Sequence, residues 1–325
     1  MSGVLPDLSV NLAGIALANP LVLLSGCVAF GEELAAIEGF DYASVGAICL
    51  KGTTLEPRRG NPPHRLAETP SGLINAIGLQ NPGARHVVER ILPRLTGLPT
   101  RLIANIAGST VEEYGQVAAI FDHSAVDGIE VNISCPNVKK GGAAFGADPD
   151  MAARVVETVR RNTGKPIIVK LSPNVTDIAA MARVVMAAGA DALSAINTLM
   201  GMAVDVERRR PVIGNLQGGL SGPAIRPVAL LKVWQVYAEA GPRGVPIIGQ
   251  GGVENAEDVL AFMLVGARAV GVGTAMFRNP LVCAEILAGL RDYLRRHNLE
   301  RIADLEGGLR TGPVISSCGT GAACA

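Results

Sequence analysis

Short apolar and β-branched runs, most of them closing on Gly, Asn, Ser or Lys, recur along the chain and alternate with stretches of helical periodicity. They predict eight strands, at residues 21–25, 44–51, 101–105, 128–134, 167–171, 192–197, 246–249 and 269–273. Helix-start chemistry falls between them. Ser109-Thr110-Val111-Glu112 has the Ser-x-x-Glu spacing of a capping box, Asn279-Pro280 reads as an N-cap followed by proline at N1, and Asn255 precedes a run of helix formers. Strands that are almost wholly apolar belong in a parallel sheet buried on both faces. Eight of them alternating with helices predict an α/β fold, a single-domain (β/α)8 TIM barrel over residues 1–306. Residues 307–325, rich in Gly, Ala, Ser and Thr and without periodicity, are expected to form a flexible C-terminal tail. An open doubly wound sheet shares this periodicity, but neither its G-x-G-x-x-G fingerprint nor a G-K-[S/T] phosphate loop occurs.

Three connections, 52–83, 136–149 and 198–227, are longer than ordinary βα loops. In a barrel all three follow C-terminal strand ends and gather over one mouth. The strand ends carry Ser25, Lys51, Asn105, Asn132 with Cys135, Lys170, Asn197 and Gly273-Thr274. Any one of these alone reads as an ordinary strand terminator, whereas two lysines and three asparagines converging on one rim predict a binding site. Gly249, Gly251 and Gly252 end the seventh strand, and Gly271 and Gly273 end the eighth. Bare amides at these two places are the usual phosphate site of a barrel, so a phosphorylated ligand is expected. Cys135 stands in Asn132-Ile133-Ser134-Cys135-Pro136-Asn137, ahead of Gly141, Gly142 and Gly146, which places a free thiol at the mouth beneath a flexible cover. An ordinary cysteine is roughly 3% thiolate at neutral pH, and a nearby lysine raises that fraction. Cys49 and Cys283 read as apolar fillers.

Composition narrows the field. Lys+Arg and Asp+Glu both number 29, and charged residues are only 18% of the chain, which argues against a nucleic-acid surface. Hydrophobic residues make up 49%, enough for a sizeable core, yet the apolar runs fall short of the ~20 residues of a membrane helix, so a soluble protein is expected. Glycine fills 39 of 325 positions, well above the usual ~7%, and the excess is assigned to turns and ligand loops. Six cysteines without a C-x-x-C pair, and an N-terminus lacking a basic segment followed by an apolar one, predict reduced thiols in the cytoplasm. His64, His86, His123 and His297 lie away from the strand ends, which disfavours a metal site or a histidine-based triad. Only Cys318 and Cys324 are close in sequence, so no iron–sulfur cluster is expected on this chain.

Four motifs together carry a resemblance: Lys51-Gly52-Thr53-Thr54-Leu55-Glu56-Pro57-Arg58, the run from Asn75 through Ala76, Ile77, Gly78 and Leu79 to Gly83, the Asn132 to Asn137 motif, and Gly218-Gly219-Leu220-Ser221-Gly222-Pro223. In order and in kind they resemble class 1 dihydroorotate dehydrogenases, from about Leu8 to about Leu305. The stretch from Val138 to Gly146 resembles the NAD-linked 1B branch rather than the fumarate-using 1A branch. The resemblance implies an FMN-bearing catalytic subunit, with one FMN per chain, that oxidises (S)-dihydroorotate to orotate in pyrimidine biosynthesis. It also implies a partner subunit carrying FAD and a [2Fe-2S] cluster, in an assembly of two plus two chains that delivers electrons to NAD.

By the same resemblance Ser25, Lys51, Gly52, Asn105, Asn132, Lys170, Ile196, Gly222, Gly251, Gly252, Gly273 and Thr274 would contact FMN, the glycine pairs holding its phosphate. Lys51, Asn75, Ala76, Ile77, Gly78, Leu79, Asn132, Asn197 and Thr198 would hold the substrate. Cys135 would be the catalytic base, Lys51 would position substrate and cofactor together, and Lys170 would offset the charge of reduced FMN. Cys27, Val28, Gln217, Gln250 and Met276 depart from the family's commoner residues, none of them at a proposed catalytic group. Three other readings remain at this point: a class 1A enzyme, a dihydropyrimidine dehydrogenase-like flavin domain, and a flavin-free barrel that binds a phosphorylated metabolite.

Overall fold

A computed structural model describes residues 5–134 and 146–312. All eight predicted strands are present: β1 (Leu21–Leu23), β2 (Ala47–Cys49), β3 (Arg101–Ile106), β4 (Gly128–Asn132), β5 (Ile167–Lys170), β6 (Ala192–Ala195), β7 (Ile247–Gln250) and β8 (Ala269–Val272). Each is parallel to the next, and β8 closes onto β1 through Val270–Leu21, Gly271–Val22 and Val272–Leu23. Every residue of β4, β5, β7 and β8 is buried, as strands between a packed interior and a helical shell must be.

The helices bury an apolar stripe against these strands. In the helix Pro149–Asn162, Ala152, Val155, Val156 and Val159 face inward. Proline stands at its first position, and the Asp148 carboxylate accepts from the amides of Asp150 and Met151. Asn255 caps Ala256–Leu264 in a full capping box with Asp258. Two predicted caps are shifted. Thr110, not Ser109, caps Val111–Asp122, because its hydroxyl reaches the Glu113 amide while the Glu113 carboxylate takes the Ser109 amide. Asn279 accepts from the Leu281 amide at 3.0 Å, and the helix itself begins later, at Val282.

A β-hairpin, Val10–Leu12 with Ile15–Leu17, covers the N-terminal end of the barrel. Its turn residues Ala13 and Gly14 both have positive φ, the geometry a two-residue hairpin turn needs. Arg101 and Arg268, at the starts of β3 and β8, donate to its carbonyls.

The opposite end is roofed. The long connections after β2 and β6, expected as loops, fold into one antiparallel sheet ordered Leu199–Gly201, Gly218–Ser221, Gly72–Asn75, Leu66–Thr69. It has its own small core of Ala67, Ile74, Ala76 and Ile213. Among the described residues no helix is long and apolar enough to cross a membrane.

Candidate active site

Between the roof and the C-terminal strand ends lies a cavity of about 250 Å³. The barrel supplies Ser25, Lys51, Asn132, Lys170, Ile196, Asn197 and Thr198 to its wall. The connection after β2 adds Asn75, Ile77, Gly78 and Leu79, and the later loops add Gly222, Gly251, Gly252, Gly273 and Thr274. Three predicted residues do not reach it. Ala76 is buried in the small core of the roof, Asn105 is wholly buried below the floor, and Gly52 packs on Asn105, whose Oδ1 would stand 2.8 Å from a Cβ added there. Cys135, with Pro136, Gly141 and Gly142, lies outside the described residues.

Amide side chains are fixed by one another. Asn197 Nδ2 donates to Ser134 Oγ at 2.8 Å, while its Oδ1 accepts from the Thr198 amide, also at 2.8 Å. Asn132 donates to Asn105 Oδ1 at 3.4 Å and accepts from Ser134. Asn75 donates to the Gly219 carbonyl at 3.2 Å, tying the roof strand to its neighbour. Such locked amides present donors and acceptors at fixed places, which suits a planar, polar ring.

The opposite wall is backbone. Gly222, Gly251 and Gly252 all have positive φ, where a side chain would strain the chain. A Cβ on Gly252 would sit 2.7 Å from the Gly222 carbonyl, and one on Gly222 would come within 3.6 Å of Thr274 Oγ1. Three separate loops therefore meet at bare backbone, a cradle that suits a phosphate. Arg226, paired with Asp258, braces it from behind. The buried Gln250 Oε1 in this wall has no hydrogen-bond partner, an acceptor left for a ligand's donor. Two lysines, locked amides and a glycine cradle together fit a phosphorylated cofactor carrying a polar ring, as FMN does.

Three features escaped the sequence reading. Leu66, Leu73 and Phe277 give the cavity an apolar ceiling. A wider cavity of about 710 Å³ adjoins the first at Gly26, Cys27, Lys51 and Ile77 and is flanked by Arg58 and Arg59. The third is Glu130, 2% exposed inside the barrel, which takes hydrogen bonds from Ser194 Oγ at 2.7 Å, Cys49 Sγ at 3.1 Å and the Asn105 amide, and lies 3.8 Å from Lys170 Nζ. Its signal was legible, because a lone carboxylate between the apolar Ile129 and Val131 of a wholly buried strand must be partnered. Burial, with Glu130 adding to it, pushes the Cys49 thiol well above its ordinary pKa, so it stays a protonated donor. Burial likewise raises Cys27, in the cavity wall, to about 11, although Lys170 and Lys51 pull the other way.

A closed barrel with a glycine cradle after β7 and β8 and lysines on its rim has the form of a phosphate-binding (β/α)8 barrel. The family model for dihydroorotate dehydrogenase matches residues 7–294. The chain belongs to that family. Among curated relatives, proteins named dihydroorotate dehydrogenase B (NAD(+)), catalytic subunit, are 53% identical in a Geobacter species over 94% of this chain and 98% of theirs. The counterpart in Desulforamulus reducens is 53% identical over 93% and 98%, and that in Halalkalibacterium halodurans is 52% identical over 93% and 97%.

Proposed function

We propose that this chain is the FMN-bearing catalytic subunit of an NAD-linked, class 1B dihydroorotate dehydrogenase, oxidising (S)-dihydroorotate to orotate in pyrimidine biosynthesis. The observation that carries the reading is the meeting, in one cavity, of Lys51, Asn75, Asn132, Asn197 and Thr198 with Lys170 and the glycine cradle. The names and near full-length coverage of the relatives support the NAD-linked branch. They also support a partner subunit, which we assign FAD and a [2Fe-2S] cluster in an assembly of two plus two chains.

Making the C5–C6 double bond requires a proton to leave C5 and a hydride to leave C6. Ser25, Lys170, Gly222, Gly251, Gly252, Gly273 and Thr274 would hold FMN, which when bound would supply the two-electron acceptor for that hydride. Cys135, directly after the Ser134 that Asn197 fixes, removes the C5 proton as thiolate. Lys51 and the amides of Asn75, Asn132 and Asn197 hold the substrate's carboxylate and ring, so that C5 meets the thiol in one orientation. The roof covers the reacting carbons with the partly buried Leu73, which limits water there.

The test is the anaerobic absorbance spectrum of the purified chain before and after dihydroorotate. A yellow protein that bleaches is the expected result. A colourless or unbleached one removes the assignment, and rapid fumarate reduction by this chain without a partner moves it to class 1A.

A further inference from the structure

Glu130 lines neither cavity, and the mechanism above does not use it. A carboxylate inside a barrel is costly unless its surroundings answer its charge. Three of its four partners are neutral donors: the Ser194 hydroxyl at 2.7 Å, the Cys49 thiol at 3.1 Å and the Asn105 amide. A neutral glutamine of the same shape keeps Cys49 and Asn105 on one oxygen and turns its N–H on Ser194, whose hydroxyl can accept instead. The fourth, Lys170 Nζ at 3.8 Å, is a cation whose side chain is 8% exposed, and it is the partner that calls for a formal charge. Lys170 is the one member of this group in contact with both Glu130 and the cavity. The neutral donors hold the carboxylate from below on β2, β3 and β6, so the anion is fixed and the ammonium is pinned relative to the barrel.

We propose that Glu130 is the positioning residue that holds the Lys170 ammonium at the cavity floor, and through Lys170 sets how strongly the site favours reduced over oxidised cofactor. The proposal rests on the flavin reading above. Without the carboxylate no anion fixes the ammonium at the floor, and an enclosed cation with none beside it is costly to keep in place. The positive charge beside the cofactor is then displaced, and the reduced, more anionic form loses its preference.

The experiment is redox titration of the flavin in the holoenzyme, for the wild type, Glu130→Gln and Glu130→Asp. For Glu130→Gln the preference for reduced flavin should fall about tenfold, a drop of about 30 mV for a two-electron couple. Glu130→Asp, which keeps the charge, should recover most of it. A potential that is unmoved or raised in Glu130→Gln overturns the proposal, since a purely structural role alters thermal stability and leaves the potential where it was. If Glu130→Gln folds too poorly to load, the flavin potential of Lys170→Met decides instead. It should fall by about 30 mV, and an unmoved potential overturns the proposal, because Glu130 then has no charge at the cofactor to act through. A wild type without flavin, or one that dihydroorotate does not bleach, would fail the proposed function instead, so the two failures are distinguishable.

Discussion

On the side of the mouth built by β2, β4, β5 and β6, what faces the cavity is side chains: Lys51, Asn132, Lys170, Asn197 and Thr198. Across from them, in the loops after the roof, β7 and β8, it is backbone: Gly222, Gly251, Gly252 and Gly273. The side-chain half offers charge and fixed donors and acceptors, and its amides need neighbours to aim them, as Ser134 does for Asn197 and Asn105 for Asn132. The backbone half needs no aiming, because its donors are part of the chain path, but it tolerates no Cβ. Side-chain sites are therefore lost by deleting a group, backbone sites by adding one.

The largest effect is expected at the proposed base. Cys135→Ala should leave flavin bound while slowing anaerobic bleaching by dihydroorotate 10²–10⁴-fold in stopped-flow absorbance, the usual contribution of a positioned base. A near wild-type rate would take Cys135 out of the mechanism. Next comes Lys51→Met, which removes a charged hydrogen bond of about 1.5–3 kcal/mol and should weaken orotate binding about 10–100-fold, read from the flavin spectral shift. Equal loss of orotate and FMN affinity would blur the two halves into one. Gly252→Ala attacks the other side by addition. With φ at +79° and the Gly222 carbonyl 2.7 Å from the new Cβ, FMN affinity should drop about tenfold from the left-handed strain alone. Fluorescence titration of the apoprotein measures it, and an unchanged affinity would mean that the cradle is not the phosphate site. The smallest effect is at Cys27, whose thiol is raised to about 11 by burial. Its thiolate fraction grows about tenfold per pH unit below that value, so iodoacetamide should spare it at pH 7 and reach it only as the pH approaches 11. Mass spectrometry of the tryptic peptide reads the labelling.

The same contrast explains what was legible in the sequence. The eight barrel strands could be read because each is buried on both faces and so is nearly continuous in apolar residues, and the cradle could be read because glycine is its own signal. The roof was not legible. Gly72–Asn75 and Gly218–Ser221 are short and glycine-bearing, and they pair with partners far away in the chain, so no local period marks them as strands. The failure at Ser109 was smaller. Ser109 and Thr110 are both good caps, and only the tertiary path decides which one precedes the first turn. Glu130 carries no strand-end signal, because it sits within β4, beneath the residues that line the cavity.

The roof sheet also bears on how the protein assembles. Asn75 and Gly219 are 144 residues apart, and their strands can meet only after β2 and β6 are set in the closed barrel. Joining such distant segments carries a large entropic penalty, with only a few small side chains beneath to offset it. The site is therefore completed last as the chain folds, and its ceiling is the first piece to come away. Amide protons in Gly72–Asn75 and Gly218–Ser221 should exchange with solvent well before those of β4 and β5, giving the ligand a way in that leaves the barrel intact.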